Sequence, residues 1–202
     1  MMRFCLFVVL LQIGVDCSVQ NFELSGDIFN EVGFIPHRGN GFFKNYLTMN
    51  ISFAPMADLF RQLLIDQRKP LTNRGEAHIT VVTPPEYQFV LGKLVTIDEI
   101  DEIASKNRIQ NSTFHVICVG RGEKVIESKL EQTYFVVVDS DDLLSIRKQV
   151  EKLYLERGGD KGKFSADHFF PHITLGYTKR DLYEQDGIKK DKRSCWKNIN
   201  IV

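Results

Sequence analysis

One four-residue pattern occurs twice in this chain and constrains its fold more than any other feature. His78-Ile79-Thr80-Val81 and His172-Ile173-Thr174-Leu175 both read histidine, apolar, threonine, apolar. Each copy lies in a segment typical of a β-strand, in which successive side chains point to opposite faces. Each strand therefore presents its histidine and its threonine on one face, roughly 7 Å apart along the backbone. Two such strands that meet would bring two histidines and two threonines into one cleft.

The elements predicted around the two motifs form an imperfect repeat. The first half contains a strand over residues 46–53, a helix over 56–68 and the first motif strand over 76–83, which Pro84-Pro85 stops. The second half contains strands over 113–119 and 133–139 with a turn at Gly120-Arg121-Gly122, a helix from an N-cap at Ser140 to about Arg157, and the second motif over 164–177. A short helix over 97–106, loops over 18–41, a loop or short helix over 180–193 and an edge strand over 195–202 complete the chain.

This order predicts an α+β fold. We expect two halves, each an antiparallel sheet backed by a helix, related by a pseudo-two-fold axis with the motif strands at a central cleft. The chain has 202 residues, and one bilobal domain over residues 18–202 is the default at this length. Lysine plus arginine number 26 and so do aspartate plus glutamate, so no net charge attracts a polyanion, and any anion site must be local.

The first 17 residues read as a secretory signal peptide. Arg3 precedes an apolar run over residues 4–15 that is too short to span a bilayer, and cleavage after Cys17 fits the small residue that Val15-Asp16-Cys17 places just before Ser18. A buried N-terminal strand or a signal anchor is the alternative. No second long apolar stretch follows, so we expect a secreted or secretory-lumen protein with no membrane contact after signal removal.

Two further features fit a secretory route. Asn50-Ile51-Ser52 and Asn111-Ser112-Thr113 match the N-glycosylation pattern, which predicts a glycoprotein. Cys118 and Cys195 are the cysteines that remain after signal removal. They either form one disulfide, as an oxidising compartment permits, or Cys118 is a buried free thiol in an apolar strand.

The paired motifs suggest acid–base chemistry on a phosphodiester. A neutral imidazole can take a proton from an attacking water or 2′-hydroxyl, while a protonated one gives a proton to the leaving oxygen. The hydroxyls of Thr80 and Thr174 could donate to the non-bridging oxygens of the phosphate. This division of labour needs no metal and no cofactor, and the sequence does not say whether His78 or His172 is the base.

These motifs resemble those of the two-histidine (2H) phosphoesterase superfamily. Within it, the segment Ala77-His78-Ile79-Thr80-Val81-Val82-Thr83-Pro84-Pro85-Glu86 looks like the Swiss-army-knife group, known from RNA-repair-like proteins, and the resemblance covers residues 46–177. It implies a bilobal α+β fold and metal-independent work on cyclic phosphates or RNA ends, with His78 and His172 as the catalytic pair. The superfamily also includes 2′-5′ RNA ligases and 2′-5′ oligonucleotide phosphodiesterases. The predicted signal peptide departs from its many intracellular relatives, and this leaves the physiological substrate open.

Other residues near the motifs have both functional and structural interpretations. Base stacking or core packing would both suit four aromatic residues: Tyr87, Phe169, Phe170 and Tyr177. His168 with His78 and His172 could suggest metal ligands, although no spacing pattern supports this. A basic run could follow a phosphate backbone or form a solvated tail: Lys189, Lys190, Lys192 and Arg193. His37 and His115 are interpreted as structural, and residues 160–171 could form a mobile lid.

The leading hypothesis is an enzyme that acts on 2′,3′-cyclic phosphate or on RNA phosphodiester bonds. Its expected partners are RNA or a small cyclic-phosphate nucleotide, and we expect a monomer. The alternatives are a 2′-5′ nucleotidyl ligase or phosphodiesterase, and a module that binds nucleotides or RNA ends without turnover.

Overall fold

A six-stranded antiparallel sheet forms the centre of the computed structural model, which describes residues 21–202. Its strands are β2 (Leu47–Ile51), β3 (Ala77–Val82), β4 (His115–Ile126), β5 (Lys129–Asp139), β6 (His172–Tyr177) and β7 (Cys195–Lys197). They lie in the order β2-β3-β6-β5-β4-β7. Two short strands, β1 (Phe22–Leu24) and β8 (Ile199–Ile201), pair in parallel as a separate ribbon. The predicted signal peptide lies outside the described residues.

Within residues 21–202, four α-helices accompany the sheet: α1 (Phe53–Gln67), α2 (Pro84–Phe89), α3 (Ile97–Lys106) and α4 (Asp141–Glu156). Apolar residues of α1 and α4 share one buried core with Ile79 and Ile173, so these helices cover one face of the sheet. The α+β fold class is therefore confirmed. Over residues 21–202, no helix combines the length and the hydrophobicity needed to cross a bilayer.

The two predicted halves join edge to edge in one continuous sheet. Strand β3 of the first half pairs directly with β6 of the second half, with Ile79 opposite Ile173. The motif strands thus meet as hydrogen-bonded neighbours, and the antiparallel pairing supplies the local two-fold relation between the motifs.

The hairpin of β4 and β5 differs from the prediction. The turn is not at Gly120-Arg121-Gly122, because β4 continues through these residues to Ile126 and turns at Glu127 and Ser128, which both have positive φ. The two glycines serve packing: a Cβ on Gly120 would lie 2.4 Å from the Phe135 ring, and a Cβ on Gly122 would lie 2.4 Å from the Ile188 side chain. Glycine in a strand often marks such a close approach.

The C-terminal segment folds back over the sheet. Two short 3₁₀ turns follow β6, at Glu184–Asp186 and Lys192–Ser194. Strand β7 then pairs with β4, where a disulfide joins Cys118 to Cys195 with their Cα atoms 5.7 Å apart. Cys118 is therefore not a free thiol. The interpretation of the basic run as a solvated tail is wrong for Lys190, whose side chain is buried.

Candidate active site

The sheet face opposite α1 and α4 carries both motif histidines. Because Ile79 is paired with Ile173 and points into the core, its neighbours His78 and Thr80 point the other way, as do His172 and Thr174. The antiparallel register places His78 beside Thr174 and Thr80 beside His172. The four motif side chains are therefore grouped on one face of two adjacent strands.

His172 has a defined tautomer. Its Nδ1 lies 2.7 Å from the carbonyl oxygen of Phe170, and a carbonyl only accepts, so Nδ1 carries the proton and donates it. In the neutral ring the Nε2 lone pair is therefore free for a ligand. Burial is the main cause that lowers the pKa of His172, and the positive charges of Lys190 and Arg74 lower it further against the opposing effects of the Phe170 carbonyl and Asp181.

His78 lies beside a carboxylate. Its Nδ1 is 3.7 Å from Oε1 of Glu76, and its side chain is only 11% exposed. Burial is the main cause that lowers its pKa; Glu76 opposes this effect, and Arg74 and His37 add to it. The two motifs are identical in pattern, yet the charges around their histidines differ.

The two motif threonines also differ. Within the described chain, the Thr80 hydroxyl makes no hydrogen bond and can donate to a ligand. The Thr174 hydroxyl donates to Oδ2 of Asp181 over 3.3 Å, a long distance for an O–H···O bond. A bound anion could therefore compete for the Thr174 proton.

The Asp181 carboxylate accepts hydrogen bonds from four side chains beside the motif strands. Thr133 donates to it at 2.5 Å, Lys190 at 2.8 Å and Arg74 at 2.9 Å, in addition to the long contact from Thr174. Burial alone would raise the pKa of Asp181, but Lys190 and the other donors outweigh burial and hold this pKa below its ordinary value. Sequence reasoning missed Asp181 and Arg74, because neither belongs to a local pattern.

His37 and Tyr46 form a stacked pair beside His78. Their ring centroids are 4.1 Å apart, and they lie 6.3 Å and 6.4 Å from the His78 ring, respectively. His37 Nε2 is buried and has no hydrogen-bond partner in the described chain. His37 therefore lies at the site and not in a remote structural position, and nothing in the sequence around it indicated this.

The four aromatic residues suggested for base stacking are dispersed. Tyr177 lies on the histidine face, because a register shift pairs it with Thr133 while Thr174 pairs with Phe135. Phe170 contacts the His168 ring and Lys189 above the sheet. Phe169 packs against the main core. Tyr87 lies in a separate surface groove of about 350 Å³, which Phe42 and Gly92 also line.

The remaining candidates lie away from the paired motifs or are otherwise engaged. His168 Nε2 is 2.9 Å from Glu184 at the surface. Residues 21–202 contain no group of three or more His, Cys, Asp or Glu side chains arranged to hold a metal ion. Of the two predicted glycosylation sites, Asn111 is exposed, whereas Asn50 lies on β2 opposite His78 and donates its side-chain amide to the Gly33 carbonyl.

The comparison with known families agrees with this geometry. Residues 45–183 match the family model described as Swiss Army Knife, 2H phosphoesterase domain. This range contains both motif strands, α1 to α4 and Asp181. The comparison with curated proteins finds no match. The matched range is well over half of the chain, and we conclude that this protein is a phosphoesterase that belongs to the Swiss Army Knife group of the 2H phosphoesterase family.

Proposed function

We propose that the chain breaks a 2′,3′-cyclic phosphate or an RNA phosphodiester bond, with His78 and His172 as the acid–base pair. The observation that carries the proposal is the pairing of β3 with β6 at Ile79 and Ile173, which groups two imidazoles and two threonine hydroxyls on one face. This set can deliver and remove protons on opposite sides of one phosphorus atom.

His172 is assigned as the general base. Its Nδ1–H bond to the Phe170 carbonyl leaves the Nε2 lone pair available, as proton abstraction requires. Burial, with the nearby cations Lys190 and Arg74, lowers the pKa of His172, so the neutral ring is the resting form at neutral pH.

His78 is assigned as the general acid. Burial lowers the pKa of His78 in the free protein, and the Glu76 carboxylate near its Nδ1 opposes this effect by favouring the protonated ring. A phosphate anion bound beside the ring adds to this effect, since a nearby negative charge raises the pKa of a histidine. The proton donor is therefore formed as the substrate binds.

The chemical step on a cyclic phosphate is balanced by these two groups. His172 takes a proton from water as the water oxygen forms a bond to phosphorus. The bond from phosphorus to the 2′- or 3′-oxygen breaks, and that oxygen takes the proton from His78. The product is a phosphomonoester, and proton exchange with solvent restores both rings.

Hydrolysis of the four nucleoside 2′,3′-cyclic phosphates in EDTA tests the proposal, with 2′- and 3′-phosphate products resolved. We expect turnover by the unaltered protein and a loss of about 100-fold or more in His78→Ala and in His172→Ala. His115→Ala is the matched control, because His115 is exposed at the start of β4 and should leave turnover unchanged. Full activity in the His78→Ala, His172→Ala double variant would disprove the assignment.

The pH profile separates the two roles. Loss of the base His172 should remove the rise in rate with increasing pH on the acidic side of the profile. Loss of the acid His78 should remove the fall in rate on the alkaline side. Absence of turnover on cyclic phosphates and on longer RNA, including 2′-5′ linkages, together with measurable nucleotide binding, would favour a binding module.

We also infer a secretory route for this chain, with residues 1–17 removed. The charge-then-apolar order of these residues supports it, and so does the Cys118–Cys195 disulfide, since disulfides persist mainly in oxidising compartments. The expected product begins at Ser18 and carries an oxidised cysteine pair.

A further inference from the structure

Three charged side chains next to His172 and Thr174 take no part in the proton transfers described above. Asp181 accepts hydrogen bonds from Nζ of Lys190 at 2.8 Å and from Nη2 of Arg74 at 2.9 Å. Lys190 and Asp181 are each 4% exposed, and the side chain of Arg74 is 29% exposed. We refer to Arg74, Asp181 and Lys190 as the charged triad.

The charged triad has one positive charge more than its own carboxylate can balance. The hydroxyls that contact it, from Thr133, Thr174 and Tyr183, are neutral. Glu76 also acts on Arg74 electrostatically, but its side chain is 53% exposed to water. Because buried charge is costly unless it is paired, this place favours an anion.

Arg74 has free donors with which to bind that anion. Its contacts with Asp181 and with the Tyr183 hydroxyl both use Nη2. In the described chain, Nε and Nη1 of Arg74 have no hydrogen-bond partner. A guanidinium presents five N–H donors in a planar fork, a geometry that matches phosphate oxygens.

Arg74 also acts electrostatically on both histidines. After burial, its positive charge is among the causes that lower the pKa of His78 and of His172. Its position in the chain, three residues before β3, brings it to the end of one motif strand, and its contact with Asp181 ties it to the other.

We propose that Arg74 binds a non-bridging oxygen of the substrate phosphate between His78 and His172, and that Asp181 and Lys190 position its guanidinium. The proposal builds on the acid–base function above and adds an anion-binding residue to it. The ligand class is a phosphate ester with at least one negative charge. Arg74 thereby adds a charged donor to the neutral hydroxyls of Thr80 and Thr174.

Inorganic phosphate is a probe that does not depend on turnover. We would titrate it into the mature, disulfide-intact protein by calorimetry and follow the imidazole resonances by NMR. Arg74→Gln should weaken phosphate binding at least tenfold, and Arg74→Lys should fall between that variant and the unaltered protein. Without phosphate, the pKa values of His78 and His172 should both rise in Arg74→Gln, because a nearby positive charge has been removed.

Arg157→Gln is the matched control. Arg157 pairs with Glu99 between α3 and α4 and contacts neither motif strand, so phosphate binding should be unchanged. Unchanged binding in a folded Arg74→Gln variant would overturn the proposal, as would an absence of phosphate binding by the unaltered protein. If Arg74→Gln does not fold, phosphate binding by Arg74→Lys tests the proposal instead, since this variant keeps the charge beside Asp181 and loses the planar guanidinium. Phosphate binding without any turnover would uphold the anion site and count against the proposed function alone.

Discussion

Identical motifs place their histidines in different electrostatic surroundings. His172 donates Nδ1–H to a fixed carbonyl and faces the charged triad, whereas His78 has the Glu76 carboxylate near its Nδ1. The sequence pattern alone made the two residues equivalent. The asymmetry comes from Glu76, two residues before its histidine, and from Lys190, which reaches His172 only in the folded chain, whereas Arg74 acts on both rings.

The lowered pKa values of His78 and His172 predict how stability changes with pH. Both lie below the unfolded value of about 6.5, so folding favours the neutral ring. This contribution is complete above about pH 6.5 and is lost as pH falls below it, because the unfolded state takes up protons first. Each histidine can add up to about 1.4 kcal/mol per pH unit to the fall in the free energy of unfolding.

Urea unfolding between pH 7.5 and 5 measures this slope. His172→Gln should flatten the fall in the free energy of unfolding, and His115→Gln should not, since the exposed His115 is not buried in either state. The carboxylate of Asp181, whose pKa is lowered, loses its contribution only at lower pH, below its ordinary 3.8. An equal slope in the His172→Gln variant and the unaltered protein would contradict the prediction.

At the scale of elements, one arginine of α4 joins the approaches to both motif strands. The buried Arg147 donates to the Val81 carbonyl at the end of β3 and forms an ion pair with Glu86 of α2. It also donates to the carbonyls of Ser165, Ala166 and His168, just before β6. These contacts fix residues 165–168, so this part of the 160–171 segment is anchored to α4 and does not form a free lid.

Arg147→Met should therefore lower the free energy of unfolding by about 3–5 kcal/mol, the range for breaking a buried pair. Glu86 would lose its cation, and four backbone carbonyls would lose their donor. Arg157→Met is the control: its pair with Glu99 is partly exposed and screened by water, so its loss should cost much less stability. Chemical denaturation gives both values, and amide exchange over residues 165–168 should increase only in Arg147→Met. Equal losses in the two variants would show that Arg147 is not the anchor.

Most elements could be predicted from local pattern, and the exceptions have identifiable causes. The N-cap at Ser140 was sufficient to predict the start of α4, and the apolar spacing was sufficient to predict α1 and α3, because these signals are local. The turn predicted at Gly120 to Gly122 was wrong because those glycines accommodate Phe135 and Ile188, contacts with distant residues. Pro84-Pro85 does end β3 as predicted, but it also begins α2 through a capping box between Thr83 and Glu86.

For the whole molecule, the sequence predicted that the motif strands meet but not what covers them. The repeat of strand, helix and motif strand implied two related halves, and their direct pairing follows from β3 and β6 both being central. Residues 180–195 form this cover. The segment shows no periodicity, and it brings Asp181 to Thr174 and the charge of Lys190 to His172. Such a placement depends on long-range contacts, which no local pattern encodes.

The disulfide should hold this cover in place. Cys118 and Cys195 are 77 residues apart, and closing a loop of that size stabilises a folded chain by about 4.5 kcal/mol in the chain-entropy account. A Cys118→Ser, Cys195→Ser double variant should lose stability of that order. It should also bind inorganic phosphate more weakly, because the segment that carries Lys190 is no longer fixed to β4.

Expression of the whole chain tests the secretory route. Protein recovered from the medium of eukaryotic cells that express all 202 residues should begin at Ser18 and gain mass on alkylation only after reduction. An N-terminus at Met1, or thiols that react without reduction, would contradict the secretory inference.

Reduction of the intact mature protein provides the control for the Cys118→Ser, Cys195→Ser variant, because it breaks the same bond without altering the sequence. If both treatments leave phosphate binding unchanged, β7 and its pairing with β4 are sufficient to hold Lys190, and the disulfide serves stability alone.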